Sequence, residues 1–223
     1  MKELFRKVTH FLIFYPIYYY IWFFFLGQDL LNNTFLMPII ALFFGINFID
    51  ILIRPMSDPD ELKDKYTVIV LLFFLSGPLI LLFAFYENLL IISLYLPMYD
   101  NLLVSNLGTL LMIIGSIIML SSRYQLNKHS YGGVSLSEEK EQTLLTEGMF
   151  KYIRHPIYAG GLIITIGLEL AFRSLIILSL HTLVFLLIFR DRMQREEIVL
   201  SDKFGKEYRD YVKKTKRLIP YIY

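Results

Sequence analysis

Apolar residues in this chain fall in long unbroken runs, separated by short polar stretches. Six runs approach the roughly 20 residues that an α-helix needs to cross a bilayer. They cover residues 10–26, 35–53, 66–86, 102–122, 157–172 and 175–189. Lipid offers no partner to a backbone N–H or C=O, so such runs read as helices. The expectation is an all-α integral-membrane bundle of about six spans. Only Arg173 and Ser174 separate the last two runs, which predicts a tight antiparallel hairpin. Pro78 predicts a kink in the third span. The run 89–96 is too short to span and is expected to lie in the interface or to cap the outer side. Gly108, Gly115 and Ser122 recur every seven residues on the fourth span, the pattern of close helix packing.

Composition agrees, with 56% hydrophobic residues, 16% aromatic and a mean hydropathy of +0.53. A net charge of +2 gives no case for a nucleic-acid partner, and the absence of cysteine excludes disulfides, thiolate nucleophiles and Cys-ligated metals. No metal site is expected. The run 10–26 is too long and aromatic for a secretory signal and lacks a small-residue cleavage site, so it reads as a retained span.

Loop charge supplies an orientation. Lys2, Arg6 and Lys7 precede the first span, Arg54, Lys63 and Lys65 lie in the second loop, and Arg123, Lys128, Lys140, Lys151 and Arg154 in the fourth. The tail is basic, whereas the loops 27–34 and 87–101 hold no Lys or Arg. Positive residues favour the cytoplasmic side, which puts both termini and the fourth loop there; Arg173 is the one exception. A prokaryotic plasma membrane or the endoplasmic reticulum suits this topology. The chain divides into an N-terminal bundle, 1–122, and a polar-rich region, 123–223, that contains the hairpin.

The chemistry concentrates in that second region. Arg154 and His155 stand just before Pro156, a residue suited to the first turn of a helix because it lacks an N–H. Arg154, His155 and Tyr158 are thus expected at the mouth of the fifth span. If the sixth span continues as a helix past the bilayer, Arg192 and Glu196 share a face. Phe204, Tyr208 and Tyr211 predict an amphipathic helix beyond it. Simpler readings exist for several polar residues: snorkelling for Arg154 and His155, a helical salt bridge for Arg192 and Glu196, and ion pairs for Glu169 with Arg173 and Asp50 with Arg54. For His181 an interhelical hydrogen bond is expected.

Four elements in order carry a resemblance. They are the stretch from Gln142 to Phe150, Arg154-His-Pro-Ile-Tyr-Ala-Gly, Phe189-Arg-Asp-Arg-(x)3-Glu-Glu-Ile-x-Leu, and Phe204-Gly-Lys-Glu-Tyr-Arg-Asp-Tyr followed by Leu218-Ile-Pro. From about Gln142 to Tyr221 the chain resembles the isoprenylcysteine carboxyl methyltransferase family, integral-membrane enzymes that share elements with phospholipid methyltransferases. The first four spans match it in character alone. The resemblance implies an S-adenosyl-L-methionine site on the cytoplasmic side, lined by Gln142, Thr143, Leu144, Leu145, Phe150, Arg154, His155, Pro156, Ile157, Tyr158 and Glu196. It implies that Arg192 holds a substrate carboxylate, with Arg192 and Glu196 the catalytic pair. Gln142 and Phe150 stand where members of the family carry His and Tyr.

These residue types suit that cofactor. Glu196 can pair with an ammonium, a helix N-terminus beside Arg154 and His155 suits an anion, and Phe150 and Tyr158 can pack on an adenine or a sulfonium. A bidentate arginine suits a carboxylate, which is already a nucleophile; an amine acceptor would need a base, for which His155 or Glu196 is the candidate. A lipophilic substrate is expected to enter from the bilayer. The alternatives are a phospholipid amine N-methyltransferase, an NADPH-dependent sterol-type reductase and a non-enzymatic membrane protein.

Overall fold

The computed structural model describes residues 32–53, 77–92, 101–128 and 143–220, with residues 20, 24, 29, 95 and 96 besides. The first expected span apart from Tyr20 and Phe24, residues 66–76 of the third, Arg54 and Gln142 lie outside the described residues. Among the described residues there are six α-helices and no strand: α1 (Leu36–Ile53), α2 (Gly77–Glu87), α3 (Leu102–Lys128), α4 (Pro156–Ala171), α5 (Ile176–Phe204) and α6 (Lys206–Lys214). Asn33 caps α1 by accepting from the N–H groups of Phe35 and Leu36 at 3.1 and 2.9 Å. Asn101 does the same for α3. A π-helical turn, Asn88–Ile92, continues α2, and Leu89, Leu90 and Ile91 stay exposed there. Of the described helices, α3 is long and apolar enough to cross a membrane by itself.

Packing begins where side chains vanish. A Cβ added at Gly115 would lie 2.7 Å from the Gly160 carbonyl, and one at Gly167 2.6 Å from the Gly108 carbonyl. Gly108 and Gly115 on α3 therefore meet Gly160 and Gly167 on α4, and the antiparallel backbones touch. Ser105 adds a buried hydrogen bond from its hydroxyl to the Ala171 carbonyl, 2.5 Å. The main core then gathers Leu36, Ile39 and Ile40 of α1, Leu81 and Phe85 of α2, Met112 of α3, and Ile164 and Leu168 of α4.

The hairpin turns at Arg173, whose φ is +57°. Glu87, at the end of α2, reaches across to the first turn of α5. Its carboxylate accepts from the N–H groups of Leu175, Ile176 and Ile177 at 2.7, 2.7 and 3.0 Å, and from the Ser174 hydroxyl. A helix N-terminus leaves such donors without intrahelical partners, and a carboxylate from another helix meets them here.

Glu169 and Asp50 are expected in ion pairs with Arg173 and Arg54, the latter outside the described residues. Glu169 is fully buried and lies 3.0 Å from Nδ1 of His181. His181 thus makes the interhelical hydrogen bond expected of it. Asp50 accepts from Nε of Arg123 at 2.8 Å, tying α1 to α3.

The sixth span does run on: α5 is 29 residues, about 43 Å at 1.5 Å per residue. The expected aromatic helix through 204–211 is corrected, because Gly205, with φ +53°, separates Phe204 at the end of α5 from Tyr208 and Tyr211 in α6. A left-handed φ is open to glycine and breaks the helix.

Candidate active site

The loop before α4 is bound to the segment after α6. The N–H groups of Arg154 and His155 donate to the carbonyls of Lys216 and Arg217 at 2.7 and 3.0 Å, and the N–H of Lys216 donates to Tyr152 at 3.4 Å. Tyr211 donates its hydroxyl to the Phe150 carbonyl at 2.7 Å. Loop and tail form one ledge, packed through Ile153, Ala159, Met193 and Leu218. Against it α5 brings two successive carboxylates, Glu196 and Glu197.

His155 is buried between them. Its Nδ1 lies 3.6 Å from Oε2 of Glu196 and its Nε2 3.3 Å from Oε1 of Glu197. Burial opposes the charged ring, but hydrogen bonds and charge from both glutamates outweigh it and raise His155 above its ordinary 6.5. Burial likewise pushes Glu196 up, and its contacts with His155, Tyr158 and Arg192 bring it below the usual carboxylate range.

The two glutamates face different surroundings. Glu196 is on the open side: Oε1 accepts from the Tyr158 hydroxyl and from Nε of Arg192 at 3.2 Å, and the Arg192 side chain is 40% exposed. The pair is therefore more than a helical salt bridge, since Tyr158 and His155 join it from α4. Glu197 is on the closed side. Arg154 Nε reaches its Oε1 at 2.9 Å and Arg217 Nη2 its Oε2 at 2.8 Å. Burial would raise this carboxyl, but His155, Arg217 and Arg154 together hold it far below the carboxylate range. Arg154 also donates to the Thr215 carbonyl at 2.6 Å, past the end of α6.

From Glu196 an aromatic column runs back along α5. Ring centroids are 5.7 Å apart for His155 and Tyr158, 5.1 Å for Tyr158 and Phe189, and 4.2 Å for Phe189 and Phe185.

The structure thus unites Arg154, His155, Pro156, Ile157, Tyr158, Arg192 and Glu196. Thr143 is exposed, Leu144 half-buried and Leu145 buried, in a segment without regular secondary structure that makes no hydrogen bond to this cluster among the described residues. The Phe150 ring is buried. Sequence reasoning missed the roles of Glu197, Arg217 and Tyr211. The doubled glutamate was visible, but its partner Arg217 is 20 residues away on another segment.

Comparison with known proteins agrees with this picture. The family described as Phospholipid methyltransferase matches residues 103–207. The chain is 29% identical over 140 residues to the probable protein-S-isoprenylcysteine O-methyltransferase of Oryza sativa subsp. indica, covering 63% of this chain and 73% of that one. It is 30% identical over 115 residues to the protein-S-isoprenylcysteine O-methyltransferase of Mus musculus, covering 52% of this chain and 41% of that one. The solved eukaryotic intramembrane Ras methyltransferase, isoprenylcysteine carboxyl methyltransferase, superposes with a TM-score of 0.60 at 20% identity, over 96% of this chain and 85% of that one.

The relatives mark the chain as a methyltransferase, and its fold is that of a solved intramembrane enzyme. The chain is similar to the isoprenylcysteine carboxyl methyltransferases and, over residues 103–207, to the phospholipid methyltransferases. The likeness reaches further than the motifs showed: the family match begins within α3, and the structural likeness takes in the helices before it.

Proposed function

We infer that this enzyme transfers a methyl group from S-adenosyl-L-methionine to the carboxylate of an isoprenylcysteine or another lipid acid. The observation that carries this is the open side of the site, where Arg192 and Glu196 lie together beside the start of α4. His155 gives that helix no side-chain cap, so its first-turn amides, Ile157 and Tyr158, suit an outside anion. An anion site, a carboxylate and an aromatic hydroxyl in one place fit an amino-acid-bearing sulfonium. Ile157 and Tyr158 would hold its carboxylate, Glu196 its ammonium, and the 143–150 stretch the rest.

When bound, the cofactor supplies an activated methyl on a cationic sulfur, and catalysis is then mainly positioning. Arg192 orients the acceptor carboxylate and keeps it ionised. Tyr158 and Arg192 fix the Glu196 carboxylate, and His155 fixes it from the other side. His155 is raised above its ordinary value by both glutamates and Glu196 is held below the carboxylate range; the Arg192 cation beside Glu196 suits an anionic acceptor and opposes an ammonium. This favours a carboxylate over a phospholipid amine. The apolar body admits a lipophilic substrate from the bilayer, past Phe185 and Phe189. Six spans with both termini and the site cytoplasmic accommodate this, region 123–223 being the catalytic part.

The test is calorimetric titration of detergent-solubilised protein with S-adenosylhomocysteine, with NADPH in parallel. Binding of the former, weakened in Glu196→Gln, is expected. Arg192→Ala should retain it yet lose turnover on a farnesylated cysteine. Binding of NADPH alone would overturn the reading in favour of a reductase, and an undiminished rate in Arg192→Ala would remove the carboxylate acceptor.

A further inference from the structure

Away from the site, a cavity of about 180 Å³ is lined by Lys151, Tyr152, Lys213, Lys214, Lys216 and Pro220. Lys213 is paired with Asp210 at 2.8 Å. Lys214 feels the charge of Asp210 but makes no salt bridge to it, Lys151 and Lys216 have no carboxylate partner among the described residues, and the cavity lining holds no acidic residue. The dipole of α6 favours cations at its C-terminus and accounts for Lys213 and Lys214. It does not account for Lys151 and Lys216, which the bridge between Ile153 and Lys216 brings to the same void. Like charges around a shared void repel one another, and an anion between them reverses the sign of that energy.

The position of the cavity points to the kind of anion. Tyr152 and Ile219 beside it are 51% and 48% exposed, and the apolar helix α4 begins at Pro156, four residues past Tyr152. Lysines with apolar stems, an open tyrosine and an open isoleucine are what a headgroup region receives. We propose that this cavity binds the phosphate of an anionic membrane lipid, held by Lys151, Lys214 and Lys216. The lipid braces the ledge from outside, since Lys151 and Lys216 closely flank Arg154 and Arg217 in sequence, while the open side at Arg192 stays free.

Native mass spectrometry of the full chain, released from detergent with phosphatidylglycerol, tests this. One phosphatidylglycerol per chain is expected, retained against excess phosphatidylcholine. Each basic residue near a membrane surface is worth about 1 kcal/mol, so each Lys→Gln change should weaken binding about fivefold and the K151Q/K214Q/K216Q variant about a hundredfold. Far-ultraviolet dichroism checks that the triple variant is folded. If it is not, Lys151→Gln, outside the α-helices, reads the fivefold loss alone. Equal retention of phosphatidylcholine, or undiminished binding in the variants, overturns the proposal. Complete displacement by inorganic phosphate overturns the lipid and leaves a free-anion site.

Discussion

Glu197→Gln tests whether the ledge is held by charge. Oε1 of Glu197 receives Arg154 Nε at 2.9 Å, Arg217 Nε at 3.2 Å and His155 Nε2 at 3.3 Å, while Oε2 receives Arg217 Nη2 at 2.8 Å. Glutamine has the same shape but a single acceptor oxygen, so its amide N–H₂ must face at least one of these donors. The substitution also leaves the Arg154 and Arg217 guanidinium groups, 10% and 24% exposed, without their common counter-charge. Removing one partner of a buried pair costs about 3–5 kcal/mol. With Glu197 15% exposed, the lower figure applies, about 3 kcal/mol. For a chain of this length that lowers the melting temperature by about 6–12 °C. Thermal unfolding in detergent, followed by tyrosine and tryptophan fluorescence, measures it. A shift under about 2 °C would refute the reasoning and leave the ledge to its apolar contacts.

Gly160→Ala should cost about 1–3 kcal/mol, because its Cβ would sit 2.6 Å from the Gly115 carbonyl and the Met119 nitrogen, forcing α3 and α4 apart; chemical denaturation checks this. Glu87→Ala should lose about 1–2 kcal/mol, the cost of removing a helix cap, although it lies in a different helix from the one it caps; the melting temperature reports it. Stability should also fall at both ends of the pH range. The raised His155 contributes stability fully present below its ordinary 6.5 and lost as pH rises through the higher folded value. The lowered Glu197 contributes stability present above its ordinary 4.5 and lost as pH falls towards the depressed one. His155→Gln should abolish the alkaline limb and also weaken the acid one, because His155 helps to hold Glu197 down; an alkaline limb that persists would assign it elsewhere.

Much of this protein was legible in one dimension. The apolar runs at 35–53, 102–122, 157–172 and 175–189 became helices within a few residues of those bounds, apart from the extensions of α3 and α5. Backbone groups in lipid leave a continuous apolar run no other option. The seven-residue glycine spacing announced a close contact, and Pro156 announced the start of α4, because both act through local sterics. What the sequence left open was which charges meet. Glu169 finds His181, Glu87 caps α5, Asp50 finds Arg123, and Glu197 collects Arg154, His155 and Arg217. Each of these partnerships joins separate elements, so it depends on how far each helix is rotated and slid against its neighbour. That rotation is set by the glycine faces of α3 and α4 and by the turn at Gly205, which no spacing within a single helix encodes. Sequence therefore determined the helices and the residue types of the site, and tertiary packing decided that Glu196 faces outward while Glu197 is locked beneath it.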